Sequence, residues 1–225
     1  MSVDRVRVAR GGAVERGAVP LYPEIETYLS ELIPELGRIP AGRLEALDRL
    51  AEFIRVRASA GQPSMLSFIC THNSRRSQLA QVWAQAAAAH LGVPGVETYS
   101  GGTEASAFNP RAVAALVRSG FRVELRGEDQ NPVYAVRFAA GAPPLACFSK
   151  VYDHALNPDR GFCAIMTCSS ADAACPIVRG SAERISLPYD DPGSFDGTGL
   201  EAATYDDCCR QIAREMLAAL SRVCG

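Results

Sequence analysis

Apolar residues Leu21, Ile25, Tyr28, Leu29, Leu32, Ile33 and Leu36 recur at helical spacing, and Pro34 is placed to end or kink the helix they predict. Leu44, Leu47, Leu50, Ala51 and Ile54 make a second amphipathic stretch, so residues 20–60 predict a helical hairpin turning at 37–42. Gly61 and Pro63 mark a linker over 58–64. The period then changes. Residues 65–69 are a short apolar run ending at Cys70, which reads as a buried strand. Residues 77–91 predict a helix closed by Gly92 and Pro94, and 96–100 a strand stopped by Gly101 and Gly102. Asn109 and Pro110 open a helix over 110–119. Residues 162–167 and 184–187 predict two more strands, and 201–223 a long closing helix. Strands alternating with helices predict an α/β fold: a parallel four-stranded sheet flanked by helices. Residues 123–160 break the alternation. They hold strand-like pieces at 134–138 and 145–148 among many turn residues, and read as an insertion. Residues 1–19, polar and rich in Gly and Arg, read as a loose tail, which leaves 64–225 as the α/β domain.

Composition narrows the class. The chain has 225 residues, 48% hydrophobic and 21% charged, which excludes a disordered or collagen-like protein. A net charge of −2 gives no basic surface for nucleic acid. No apolar window is long enough to span a membrane, and the Arg-rich N-terminus has no apolar core of a secretory signal, so a cytoplasmic protein is expected. Eight cysteines in that setting read as thiols. No C-x2-C pair occurs and only three histidines are present, so no metal site is expected.

The segment Cys70-Thr71-His72-Asn73-Ser74-Arg75-Arg76-Ser77 carries the chemistry. A strand ends at a cysteine, a short polar loop follows, and an arginine opens a helix. Such a loop can wrap backbone N–H groups around an oxyanion, with the helix N-terminus aimed at it. The same field favours the thiolate of Cys70 as a nucleophile. Arg76 can offer two parallel donors to the anion, Asn73 can pin the loop, and Ser77 can donate to the Cys70 sulfur. The C-x5-R spacing recurs from Cys208 to Arg214, but there it falls inside the predicted closing helix with no strand before it.

The run from Ile69 to Ala80 resembles the phosphate loop of the low-molecular-weight tyrosine phosphatase superfamily, closest to its thioredoxin-coupled arsenate reductases. Ser100-Gly101-Gly102-Thr103-Glu104 and Asn109-Pro110-Arg111-Ala112-Val113 resemble the following strand and helix of those reductases. The resemblance runs from about Met65 to Leu220 without the insertion, and leaves out residues 1–60. Two positions depart from it: His72 stands where the family often has glycine, and Arg75 where the reductases often have a second cysteine. By this resemblance Thr71 to Ser77 bind the oxyanion, with Cys70 and Arg76 catalytic.

Two further features acquire meaning beside it. Asp190-Asp191-Pro192 reads by itself as a turn. The resemblance makes Asp191 the general acid, with Asp190 as runner-up. Cys168 and Cys175 follow a buried strand and read by themselves as two buried thiols. The resemblance makes them a redox relay: Cys70 attacks arsenate, Cys168 attacks the adduct, and Cys175 resolves the Cys70–Cys168 disulfide. Thioredoxin would then be the external reductant, with no bound cofactor. The other reading is a phosphatase acting on phosphotyrosine or a small phosphate ester through Cys70, Arg76 and Asp191 alone. A regulatory anion-binding module without turnover is a third, disfavoured by the intact nucleophile, arginine and acid. The thiol pair, and the lack of aromatic residues directly after Asp191-Pro192, favour the reductase. The oligomeric state is not legible from the chain.

Overall fold

The computed structural model describes residues 19–127 and 129–223. The tail expected over 1–19 lies, apart from Val19, outside the described residues, as does Cys224.

Helix α1 (Pro23–Leu32) starts at a proline, whose missing N–H costs nothing in a first turn. Pro34 cannot continue it, and the chain tightens into a 3-10 segment over Ile33–Arg38. Helix α2 (Ala41–Ser59) follows. Both helices contribute to one hydrophobic core with the sheet, through Ile25, Leu29, Leu47, Leu50 and Ile54. The edge of α2 is also held by Arg43. It forks onto the fully buried Glu215 at 2.6 and 2.7 Å and donates to the carbonyl of Pro188 at 2.9 Å.

Strand β1 (Ser64–Cys70) is followed by helix α3 (Arg76–His90), strand β2 (Val96–Gly102) and helix α4 (Pro110–Arg118). The Asn109 side chain accepts the Arg111 N–H and caps α4, as its sequence predicts. Strand β6 (Phe162–Met166), helix α5 (Ser169–Ala174), strand β7 (Ser181–Ser186) and helix α6 (Glu201–Ser221) complete the unit. The strands pair in parallel in the order β2-β1-β6-β7, with Phe68 opposite both Ser100 and Ile165. The four-stranded parallel α/β sheet read from the sequence is therefore present, with β1 in the middle. The chain leaves β1 first toward one side and later returns on the other. The loop after β1 thus sits at the switch point, where open α/β sheets bind ligands.

The stretch read as an insertion forms its own three-stranded antiparallel sheet: β3 (Arg122–Arg126), β4 (Val133–Arg137) and β5 (Leu145–Cys147). Among the described residues no helix is long and apolar enough to cross a membrane.

Candidate active site

The loop from Thr71 to Arg75 is tied down by its carbonyls. Cys70 O accepts Thr103 N–H at 3.1 Å, Thr71 O accepts Glu104 N–H at 2.8 Å, and Ser74 O accepts Asn109 N–H at 2.9 Å. His72 O takes the Ser149 hydroxyl at 2.8 Å, and Asn73 O the Gln78 amide at 3.1 Å. With the carbonyls turned outward, the N–H groups of residues 71–75 have no acceptor among the described residues. Successive amides turned inward make a nest for an anion, at the N-terminus of α3.

The close packing of this loop needs glycine beside it. A Cβ on Gly102 would lie 2.2 Å from Glu104 O and 2.6 Å from Thr71 O, and one on Gly101 would lie 2.3 Å from the Tyr152 Cα. Asn73 is the loop's turning point. It has φ 47°, a left-handed conformation that asparagine tolerates better than most residues. Its fully buried side chain is held on both sides: Nδ2 donates to Ser77 Oγ at 2.8 Å, and Oδ1 accepts Lys150 N–H at 3.0 Å.

Cys70 is buried at the end of β1, with Sγ 3.1 Å from Ser77 Oγ. Arg76 lies along the cradle. Its Nη1 donates to Tyr189 O at 2.9 Å and its Nη2 to Asp191 Oδ2 at 2.8 Å. Its Nε is buried and has no acceptor. A buried donor without a partner is costly. Here it lies on the side-on edge of the guanidinium, the edge that grips an oxyanion in bidentate fashion. Asp191 in turn caps the 3-10 segment Pro192–Phe195, accepting Gly193 N–H at 3.0 Å.

Two side chains of the loop point elsewhere. His72 is exposed and approaches Glu104 at 3.6 Å. Arg75 donates through Nε to the Tyr205 hydroxyl at 3.0 Å, and its Nη1 lies 3.4 Å from each oxygen of Asp191. Tyr205, Gly193 and Gln78 carry no local signal in the sequence. Tyr205 is 130 positions from Arg75, and only the fold brings them together.

The second thiol pair brackets α5. Ile69 and Met166 are register partners, so the chain after β6 emerges beside the Cys70 loop. Cys168 is the N-cap of α5, with Sγ accepting Ala171 N–H at 3.4 Å and lying 3.4 Å from Thr71 Oγ1. Cys175 is half-buried at the opposite end of the helix. Both thiols are free. Beyond Cys175 the chain carries Ile177, 83% exposed, into the wall of a cavity. That cavity, about 910 Å³, is lined by Tyr152, His154, Phe162, Ile177 and Arg179, and no residue of the 70–77 loop lines it.

The remaining described cysteines differ in kind. Burial pushes the Cys147 and Cys208 thiols up to about 12 and Cys209 up to about 11, and it raises Cys163 as well. Cys209 accepts the Trp83 indole N–H at 3.0 Å, whereas Cys208 faces the carbonyl of Asp190, so the two adjacent thiols serve different surroundings. Arg214, at the C-x5-R spacing from Cys208, pairs with Glu35 and lies within α6.

This nest, thiol and arginine sit within residues 65–133, which match the family of low molecular weight phosphotyrosine protein phosphatases. An arsenate reductase of Bacillus licheniformis is 29% identical over 137 residues, which cover 60% of this chain and 78% of that protein. Arsenate reductase 2 of Staphylococcus epidermidis is 30% identical over 130 residues, covering 56% of this chain and 76% of that protein. The crystal structure of a low molecular weight protein tyrosine phosphatase from T. tengcongensis has TM-score 0.48 and 15% identity, covering 70% of this chain and 98% of that one. The chain belongs to the low-molecular-weight tyrosine phosphatase superfamily, in the company of its arsenate reductases. It is an enzyme of the reductase or the phosphatase type.

Proposed function

We propose that the protein is an arsenate reductase that works through Cys70 and a Cys168/Cys175 relay. The observation that carries this reading is the place of Cys168: its sulfur is 3.4 Å from the side chain of Thr71, the residue after Cys70. A second thiol at the rim of the oxyanion loop has no task in ester hydrolysis, and it is where an attack on a Cys70 adduct must start.

The steps follow from the positions. Arsenate enters the nest of residues 71–77, and Arg76 takes it with Nε and Nη2. Cys70 Sγ attacks arsenic, and an oxygen leaves as water with a proton from Asp191. Cys168 Sγ then attacks Cys70 Sγ. The electron pair of the S–As bond stays on arsenic, which leaves as arsenite. Cys175 attacks Cys168 and frees Cys70, and the remaining Cys168–Cys175 disulfide is reduced by an external dithiol of the thioredoxin class. No bound cofactor or metal takes part, and the enzyme works in the cytoplasm, where such thiols are kept reduced.

A phosphatase is the second reading. It is favoured by the 2.8 Å contact of Asp191 with Arg76, which places a carboxylate at the cradle as a leaving group requires. The two are separated by parallel assays on one preparation: thioredoxin oxidation driven by arsenate, and hydrolysis of aryl phosphates. Arsenate turnover that is lost in Cys168→Ser supports the reductase. Ester hydrolysis without arsenate turnover puts the phosphatase in its place.

A further inference from the structure

Arg76 holds the acid loop. Its Nη2 serves Asp191 at 2.8 Å, and its Nη1 serves Tyr189 O. A bidentate oxyanion needs Nη2 together with the unpartnered Nε. Nη2 carries two N–H groups, so charge and not a shortage of donors decides: an anion on that edge neutralises Arg76 and repels the neighbouring carboxylate, just when Asp191 must stay beside the reacting centre. A second cation already faces Asp191. The Nη1 of Arg75 lies 3.4 Å from both Asp191 oxygens, symmetric and longer than a normal hydrogen bond.

Arg75 does not depend on Asp191 for its own position. Its Nε is fixed on the Tyr205 hydroxyl at 3.0 Å, and that hydroxyl donates to Asp196 Oδ1 at 3.0 Å. Its Nη2 is 3.9 Å from Asp196. The guanidinium lies against the backbone of Gly193, where a Cβ would stand 2.7 Å from the Arg75 Cζ, so any other residue there would push the guanidinium aside. The same Gly193 donates its N–H to Asp191.

We propose that Arg75 is a positioning residue for the acid loop: it receives the Asp191 carboxyl group, through its carbonyl oxygen, when a bound oxyanion takes Arg76, and so keeps the proton donor at the mouth of the Cys70 loop. The inference rests on the reading of Cys70, Arg76 and Asp191 given above. Arg75 then has a task of its own in this chain, one that Tyr205 and Gly193 are arranged to support.

The test has a structural arm and a kinetic arm. The crystal structure of the Cys70→Ser protein with arsenate bound should have Arg76 Nε and Nη2 on the anion and Asp191 within about 3 Å of Arg75. Calorimetry of arsenate on the same variant reports separately on the site. Absence of binding there overturns the reading of the loop and this inference with it. Binding with Asp191 still on Arg76, or swung away from both arginines, overturns this inference alone. In turnover, with arsenate or an alkyl phosphate, Arg75→Gln should lower kcat about tenfold in the otherwise unchanged enzyme and add no further loss in Asp191→Asn. A residue that only shapes the loop would cost as much in Asp191→Asn as without it, and that result sinks the assignment.

Discussion

Arg184 of β7 locks Asp172 of α5 in place. Its Nη2 donates to Asp172 Oδ1 at 2.5 Å and to Asp172 O at 2.8 Å, while its Nε takes the carbonyl of Cys175 at 3.1 Å. Ser186 adds a 2.6 Å bond to the other carboxylate oxygen. The helix between the two candidate relay thiols is therefore fastened to the neighbouring strand at its middle and its end. Both side chains are about a quarter exposed, so Arg184→Gln should cost only about 1–2 kcal/mol of stability. It should also free α5 to unwind, speeding Cys168–Cys175 disulfide formation by diamide on the order of tenfold. Thermal melts and timed alkylation with mass analysis measure the two effects. An unchanged rate of disulfide formation would show that α5 is not what holds the thiols apart.

Removal of the nucleophile should separate binding from turnover. Cys70→Ser should abolish arsenate and phosphate-ester turnover while oxyanion binding persists, because the nest of residues 71–75 and Arg76 remain. Arg76→Lys should reduce turnover by about two orders of magnitude or more, since an ammonium replaces a planar fork and cannot occupy the same edge. Steady-state rates and calorimetric titration with arsenate check both. Full activity in Cys70→Ser would overturn the site.

Asp191→Asn should discriminate between leaving groups. Hydrolysis of an alkyl phosphate should fall by about 10²-fold or more and that of p-nitrophenyl phosphate far less, because only the poor leaving group needs the proton. An equal loss across the series would mean that Asp191 acts only as the cap of the Pro192–Phe195 turn. Asp190→Asn is the control, since Asp190 is the adjacent carboxylate of the same turn.

The strands that carry the site were legible because they are buried on both faces. Ser64–Cys70 and Phe162–Met166 read as short apolar runs, and they set the positions of Cys70 and Cys168. The first half of β7, Ser181-Ala182-Glu183, was not legible, because it is a polar edge strand with little buried surface. The antiparallel sheet was seen only as fragments. Its strand β3, Arg122–Arg126, is exposed at nearly every position, so its side chains show no alternation. The contacts of Arg75 with Tyr205 and of Arg43 with Pro188 could not be read at all. They join residues 130 and 145 positions apart, and no local pattern encodes such pairs.

The buried thiols should make the fold alkali-sensitive. Cys147, Cys208 and Cys209 are raised by burial to about 12, 12 and 11, whereas a thiol of the unfolded chain titrates at about 8.5. The native state therefore holds these protons more tightly than the unfolded one. Their contribution is fully present below about pH 8.5 and is lost as pH rises toward the native values, at up to about 1.4 kcal/mol per thiol per pH unit. Urea unfolding between pH 8 and 10.5 should show a steep fall in stability, and Cys209→Ala should flatten it. The same thiols should resist iodoacetamide in the native protein at pH 8, while the half-buried Cys175 reacts. Stability that is level across that range would contradict the burial assigned to them.

The relay demands that α5 come apart. Cys168 and Cys175 flank the helix Ser169–Ala174, and seven residues of helical rise separate their Cα atoms by about 10 Å. A disulfide needs that separation to be below about 7 Å. The Cys168–Cys175 bond therefore cannot form while α5 is intact. The helix is poorly defended against this: Ser169, Ser170 and Asp172 are modest helix formers, Pro176 bars extension past Cys175, and six residues are too few to be stable alone. What holds α5 is the Arg184 clamp and the burial of Ala171 and Cys168. After one arsenate turnover without reductant, peptide mapping should find Cys168 linked to Cys175 and Cys70 free, and hydrogen exchange should rise selectively over 168–176. In Cys175→Ser the map should find Cys70 linked to Cys168, with turnover stopped after one equivalent of arsenite. If Cys168→Ser and Cys175→Ser both keep the full thioredoxin-coupled rate while arsenate is consumed, electrons leave by another route and the relay is wrong.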